Sequence, residues 1–461
     1  MAAAERHESV GLIVVGASVG GLVAAITAAD HGHRVALLER AKELGGGAGT
    51  ESEAIAAAGT RFQRVADVHD TPDRLIADLR ATTRHYLETD EAAALVAQSA
   101  GLVDWLADRC GVQVTLQSRT AVGGHSAPRL HAVGEQGGAS LVATLVRHAS
   151  HHTHIRVRAA TEVERLIADE TGTVTGVAVR PDRRGAAVVM GPVLLACGGF
   201  VANDDLVAAH CPDVKDLPHL GAFGGKGDAL RLAGPVSAAT SHMGACAVTP
   251  FLAQPSHLAV PRAVADLGGI LVNQLGKRFA DETKDALALA LDVRAQPGRV
   301  AYLLFDERVT SAVAANDPFF ARVVLPRTAR RGSSVAMLAK QLELAEAGLA
   351  PTLETYNANL EPGGDPFGRQ RSGGPLEAPF SGIRVTGARR ATLGGLKVDA
   401  AGRVQHASGA PIPGLFAVGG SASGLSGDGT DGGLVGMDAL VSLGRARAAA
   451  LALGSVADDG A

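Results

Sequence analysis

Aromatic residues are scarce in this 461-residue chain: one Trp, three Tyr and eleven Phe make up 3% of it. So few rings cannot furnish the stacked platform on which single-stranded nucleic acid is held. Charge of one sign is equally short, with 43 Lys and Arg against 47 Asp and Glu and a net −4 at pH 7, which leaves no basic field for a polyanion. The four cysteines, Cys110, Cys197, Cys211 and Cys246, have neither C-x-x-C nor metal-site spacing. Met1 to Ser9 carries no apolar signal core, and the expectation is a reduced, cytoplasmic protein. His148, His151, His152 and His154 fall where a polar connector belongs, between a helical run and a strand starting at Ile155. With no cysteine or carboxylate cluster beside them, no metal is expected there. The one long apolar run, residues 11–29, is broken by glycines and followed by a strand ending in an acid, which fits a βαβ unit better than a membrane span.

Glycine, by contrast, is plentiful, and its placement carries the argument. Gly11-Leu-Ile-Val-Val-Gly16-Ala-Ser18-Val19-Gly20-Gly21-Leu, closed by Val35-Ala-Leu-Leu-Glu39, reads as strand, glycine turn, alanine-rich helix and a second strand ending in a carboxylate. That is the order of a dinucleotide site. Gly16 permits the tight turn, Gly21 lets helix and strand approach, and amides at the helix start face a pyrophosphate. Ser18 replaces the middle glycine of G-x-G-x-x-G and still keeps the backbone accessible. Glu39 is placed to accept from a ribose hydroxyl.

A second run follows at Arg40 and Gly45-Gly46-Gly47-Ala-Gly49-Thr50, where lean backbone can lie against a ligand. NAD sites do not usually need this second run, whereas FAD, with its longer flavin half, does. Two further apolar strands stop at glycine pairs, Val193-Leu-Leu-Ala196-Cys-Gly198-Gly199-Phe200 and Gly414-Leu-Phe-Ala-Val-Gly419-Gly420. Such strand ends bring backbone close to one extended ligand from several sides.

Together with Ala57-Ala-Gly59-Thr60-Arg61-Phe62, Gly124-His125-Ser-Ala-Pro128-Arg129-Leu-His131, Gly225-Lys-Gly227-Asp228, Gly268-Gly-Ile-Leu-Val-Asn273-Gln-Leu-Gly276-Lys277-Arg278-Phe279 and Gly394-Gly-Leu-Lys-Val-Asp399, these motifs resemble the flavoprotein subunits of fumarate reductase and succinate dehydrogenase. The resemblance extends to 3-ketosteroid and tricarballylate dehydrogenases and covers nearly the whole chain. It implies an α/β fold: a discontinuous Rossmann-like FAD-binding domain at 1–236 and 380–461, with an inserted α+β capping domain at 237–379 that holds substrate at the junction. Strand and glycine signals of the nucleotide fold stop near Gly234 and resume at Ile383, which sets those boundaries. The cap is expected to contain a helical stretch from Ser334 to Gly348, and a last helix is expected from Gly433 to Leu453.

Val163, Ala196, Gly227, Asp228, Gly432, Gly433 and Leu434 join the cofactor set on this resemblance, the last three at a helix start facing the flavin pyrimidine edge. The implied reaction moves a hydride between flavin N5 and a substrate carbon, forming or reducing a C=C bond beside a carbonyl or carboxylate. True fumarate reductases carry an arginine shortly after the motif matched by Arg278-Phe279-Ala-Asp281-Glu282, a histidine matched by Ala391, and an arginine in the loop at Gly429 to Gly432. This chain offers Lys284-Asp285, Ala391, and Thr430 or Asp431, so a small dicarboxylate lacks two cationic clamps. Tyr86, Tyr302 and Tyr356, the only tyrosines, match no ketosteroid dehydrogenase motif.

His125, Arg129 and His131 remain as proton-handling candidates, with Lys284 and Arg390 outside the motif. No histidine stands between Gly45 and Thr50, so FAD is expected to be non-covalent. No second dinucleotide unit is evident, which implies an external electron donor or acceptor. A non-catalytic flavin-binding electron-transfer subunit, and a hydroxylase consuming NADPH, are the alternatives.

Overall fold

The computed structural model describes residues 6–46, 54–82, 89–117, 124–134, 137–182, 185–220, 224–361, 363–370, 373–425 and 434–454. A six-stranded sheet organises the larger part of the chain, in the order Arg403–Gln405, Pro411–Ala417, Val193–Leu195, Leu12–Val15, Val35–Leu38 and Ile155–Arg158. All neighbours but the first pair run parallel. Its central strands are apolar at every position because both faces are covered. Leu12, Val14, Val35 and Leu37 face a core shared with the helices Val19–Asp30, Gly138–His151 and Met437–Leu451. The alternate residues Ile13, Val15, Ala36 and Leu38 pack on a four-stranded sheet through Val163, Val177, Val179 and Val189. The period of two thus separates two cores on one strand.

The run that imitates a membrane span is the strand Leu12–Val15, a glycine turn and the 12-residue helix Val19–Asp30, whose interior is buried within the protein. Among the described residues no helix is long and apolar enough to cross a membrane.

The second region is built on an antiparallel sheet of Cys246–Ala253, Phe380–Thr392, Ala301–Asp306 and Ile270–Val272, with Arg330–Gly332 also pairing to the long strand. The structure corrects the expected boundary here. Ile383, Arg384 and Val385 do not reopen the nucleotide fold: they lie opposite Leu303, Tyr302 and Ala301, with Ile383 and Val385 in the cap core beside Phe251 and Phe305. The strand signal was legible, but pairing over a long sequence distance decides which sheet a strand joins. The chain crosses between the two regions on a pair of two-residue strands, Thr240–Ser241 against Gly395–Leu396.

Two helix expectations also shift. The stretch from Ser334 is two helices, Val335–Leu342 and Glu346–Ala358, separated at Glu343, which takes φ +57°. Gly348 is not a stop; a Cβ there would overlap the Leu275 carbonyl oxygen, so its bareness serves packing. The last helix spans Met437–Leu451, entered from Gly436 at φ +78°, and Gly432 and Gly433 lie outside the described residues.

Candidate cofactor and substrate site

A cavity opens at the carboxyl ends of three parallel strands, where Gly16, Glu39 and Ala196 follow directly. This is the position at which doubly wound sheets take ligands. Gly16 has φ +101°, and a Cβ on it would meet the Ala196 carbonyl oxygen at 2.5 Å. Ser18 is the N-cap of the following helix: its hydroxyl accepts from the Gly21 amide at 3.3 Å, which explains why serine stands in the middle glycine position. The Glu39 carboxylate accepts from the amides of Ala17 at 2.9 Å and Ala41 at 2.8 Å. These bonds hold it at the cavity wall with acceptor capacity left for a hydroxyl.

Of the residues expected to hold a cofactor, Gly16, Ser18, Glu39, Arg40, Gly46, Val163, Ala196, Gly198, Gly199 and Asp228 line this cavity. Val19, Gly20 and Gly21 form the first turn of the helix behind it. Gly45 takes φ +113° against Val142. Gly227 caps the helix Asp228–Ala233 at φ +83°, and Gly420 lies against the backbone of Gly198 and Gly199 beside the turn at Gly419. Leu434 is buried in the main core. Gly47, Gly49, Thr50, Gly432 and Gly433 lie outside the described residues.

Sequence reasoning missed Thr161, Cys197, Gly224 and Arg231, which also line the cavity. The Gly224-Gly225 pair is a signal that could have found part of this wall. Arg40 pairs with Asp228 at 2.8 Å and donates to the Gly224 carbonyl at 3.2 Å, while Arg231 reaches Asp228 at 3.3 Å. A long wall of bare backbone, a helix N-terminus, a carboxylate at the end of the second strand and flanking guanidiniums fit FAD.

The five proton-handling candidates are dispersed. His125 is buried, and its Nε2–H donates to the Val435 carbonyl at 2.8 Å. A carbonyl can only accept, so Nδ1 carries the lone pair, and it has no hydrogen-bond partner among the described residues. Burial, the largest influence, holds this imidazole below the ordinary histidine range, so it is neutral at pH 7.

His131 is enclosed: Nδ1 lies 2.9 Å from the Arg129 carbonyl and Nε2 2.8 Å from the Thr60 hydroxyl. Both ring nitrogens are therefore engaged within the protein. Arg129, 1% exposed, donates through Nε and Nη2 to Asp70 at 2.9 and 2.8 Å and through Nη1 to Asp78 at 2.6 Å. Neither His131 nor Arg129 lines the cavity wall. Lys284 forms an ion pair with Asp292 on the neighbouring helix and likewise is not on that wall.

Arg390 does line the cavity, donating to Asp438 at 2.8 Å. It falls in a register shift of the cap sheet, between Arg389 opposite Val248 and Ala391 opposite Ala247. Such a bulge re-aims a side chain, and here it brings a cap arginine to the seam.

Burial raises the Asp78 carboxyl, but hydrogen bonds from Ser126 and the charge of Arg129 outweigh it and leave Asp78 below the ordinary aspartate range. A carboxylate lowered on folding stabilises above its unfolded value, and that stability is lost as pH falls through the folded value. Thermal denaturation from neutral to acid pH is expected to show this loss below the ordinary aspartate range. Asp78→Asn should flatten that acid limb; an unchanged limb would contradict the assignment.

Comparison with known proteins places these features. The family described as FAD binding domain matches residues 11–433. The chain is 30% identical over 434 residues to the NADH:fumarate oxidoreductase of Klebsiella pneumoniae (strain 342), covering 92% of this chain but 46% of that protein. It is 31% identical over 432 residues to the fumarate reductase (cytochrome) of Shewanella frigidimarina, covering 92% and 74%. The solved open conformation of a flavocytochrome c3 fumarate reductase superposes with TM-score 0.80 at 24% identity, covering 97% of this chain and 79% of that one.

Proposed function

This chain belongs to the fumarate reductase and succinate dehydrogenase flavoprotein family, FAD-dependent oxidoreductases acting on CH–CH and C=C bonds, and from that premise we propose that it forms or reduces a C=C bond adjacent to a carbonyl or carboxylate. The observation that carries the reading is one continuous cavity. It runs from the glycine turn and Glu39 of the nucleotide fold to Arg390 of the cap strand. When bound, FAD supplies a two-electron hydride donor or acceptor.

The protein's own groups do the rest. Gly16, Ser18 and Gly198 offer backbone to the pyrophosphate, and Glu39 takes a ribose hydroxyl. Arg390, steadied by Asp438, presents a cation to a substrate carbonyl oxygen and stabilises the charge that gathers there as the neighbouring carbon exchanges a proton. His125 does not line this cavity; its neutral ring, with Nδ1 unpartnered among the described residues, would accept that proton from a substrate that reaches past the described wall.

The preferred substrate has one carbonyl or carboxylate rather than two. Lys284, standing near the position of a catalytic arginine in resembling enzymes, is tied to Asp292, and Ala391 supplies no imidazole. Electrons arrive from or leave to an external donor or acceptor.

The test is anaerobic mixing of the FAD-loaded protein, oxidised or photoreduced, with saturated ketones, enones, α,β-unsaturated acids, succinate and fumarate. Bleaching or reoxidation of the visible flavin band is expected with mono-carbonyl compounds at rates at least about tenfold above those with succinate or fumarate, roughly the 1.4 kcal/mol of one weakened charged contact. Silence across the panel would overturn the reading and favour a flavin-binding subunit without turnover.

A further inference from the structure

Two of the cysteines that spacing left unassigned meet in space. Cys211 closes the helix Asp204–His210 of the nucleotide region, and Cys246 opens the first strand of the cap sheet. Both are buried in one small cluster with Phe200, Val207 and Val248, and the Cys246 thiol donates to the Ala247 carbonyl at 3.8 Å. The Cys211 thiol also donates to the Met243 carbonyl at 3.4 Å.

Beside them stands Arg389, only 4% exposed. Its Nη2 donates to Asp204 at 2.7 Å, yet Nε and Nη1 have no partner among the described residues. A buried guanidinium with two open donors is costly unless an anion completes it. Arg389 lies between the two cysteines' elements: its bonded Asp204 starts the helix that Cys211 closes, and it sits opposite Val248 on the strand that Cys246 opens; a Cys211 thiolate is an anion that would complete it.

We propose that Cys211 and Cys246 are a redox-active dithiol that hydrogen peroxide or a small organic hydroperoxide converts to a disulfide, with Arg389 holding Cys211 as the reacting thiolate. The Cys211 sulfur attacks a peroxide oxygen: an S–O bond forms, the O–O bond breaks, and the departing hydroxide takes a proton as water. The Cys246 sulfur then displaces the hydroxyl from the Cys211 sulfenic acid; the S–S bond forms, the S–O bond breaks, and the hydroxide leaves with the Cys246 proton as a second water. Two thiols and one peroxide give one disulfide and two waters, the sulfurs having lost two electrons.

The other two cysteines serve as internal controls. Burial pushes Cys110 up to about 12 and Cys197 up to about 11; Cys246 is likewise raised, chiefly by Cys211, but only Cys211 and Cys246 share a cluster, so Cys110 and Cys197 have no second thiol beside them to form a disulfide. The linkage would join the nucleotide region to the cap strand, because Cys246 lies opposite Thr392, whose hydroxyl accepts from the Phe200 amide at 3.0 Å.

The experiment treats the FAD-loaded full chain with one equivalent of hydrogen peroxide, alkylates free thiols, and maps peptides without reduction. Loss of two of four thiols is expected, with Cys211 and Cys246 in one linked pair that dithiothreitol releases, and Cys110 and Cys197 alkylated. In Cys246→Ser, Cys211 should be trapped by dimedone as the sulfenic acid. Arg389→Gln should slow disulfide formation by about tenfold or more, the factor that one unit of lost thiolate population supplies, while Arg389→Lys slows it less. Recovery of Cys211 and Cys246 unlinked, prior oxidation of Cys110 or Cys197, or an unaltered rate in folded Arg389→Gln would each overturn the proposal. The wild-type peptide map decides the site even where an Arg389 variant does not fold.

Discussion

Gly21→Ala is expected to lower FAD affinity by about 100-fold, read by titration of the apoprotein with FAD and loss of the thermal protection that FAD confers. The new Cβ would overlap the Gly16 carbonyl oxygen and sit 3.0 Å from the Ala196 Cβ. Neither obstacle is a flexible side-chain end; both belong to the two turns that form the cavity wall. The helix must back away from the strand, carrying the Ser18 cap and the amides behind it out of position. Overpacking at such a site costs about 1–3 kcal/mol, and the upper end of that range is about a hundredfold in a dissociation constant. Gly46→Ala is the contrast, since a Cβ there would meet Ser18 at ordinary distances of 3.7 and 3.8 Å, although its φ of +63° adds some strain. An FAD affinity in Gly21→Ala equal to that of the unaltered protein would remove the assignment of this turn as the pyrophosphate cradle.

The second large effect lies in the cap. Glu282 is completely buried and accepts from Arg278 through two bonds of 2.9 and 2.8 Å, from Arg369 at 3.1 Å and from the Leu271 amide at 2.9 Å. Arg278 also pairs with Asp365 at 2.6 Å and lies over the rings of Tyr356 and Phe367. Two guanidiniums and two carboxylates therefore balance inside the cap. Glu282→Ala removes the carboxylate that both arginines share, leaving Arg278 its pair with Asp365 and Arg369 its bonds to the Gly269 and Ala265 carbonyls, and breaking a buried pair in this way costs about 3–5 kcal/mol. A thermal transition lowered by roughly 10 °C is expected, with earlier proteolysis within residues 246–392. Glu282→Gln, which keeps the shape and one acceptor, should fall between the two. A transition within about 2 °C of the unaltered protein in Glu282→Ala would refute this account.

The glycine turn, the acid-ended strand and the glycine pairs at Gly198 and Gly419 were legible because each reports a local backbone demand that few other residues meet. The motif at Arg278 was legible as a pattern but not as a role: its arginine and glutamate hold the cap together through Asp365 and Arg369, residues far away in sequence. His131 and Arg129 illustrate the same gap. Their residue types advertise chemistry, whereas Thr60, Asp70 and Asp78, which occupy them, come from other segments. The strand signal at Ile383 was read as the nucleotide fold resuming, whereas the strand Phe380–Thr392 belongs to the cap sheet, since a local strand signal does not name its partner. Arg390 was named without a reason; the reason is a fold in the ladder that no residue spacing announces.

That fold in the ladder has a further consequence. Gly387 lies against Ala290 so closely that a Cβ would come within 2.8 Å of its carbonyl oxygen, and a Cβ on Gly382 would strike Leu342. These two tight fits stop the long cap strand from sliding, so the place where its one surplus residue emerges is pinned by distant helices. A methyl group added at Gly387, against the helix Ala286–Ala295, is therefore expected to shift the surplus residue Arg390 and its guanidinium at the seam.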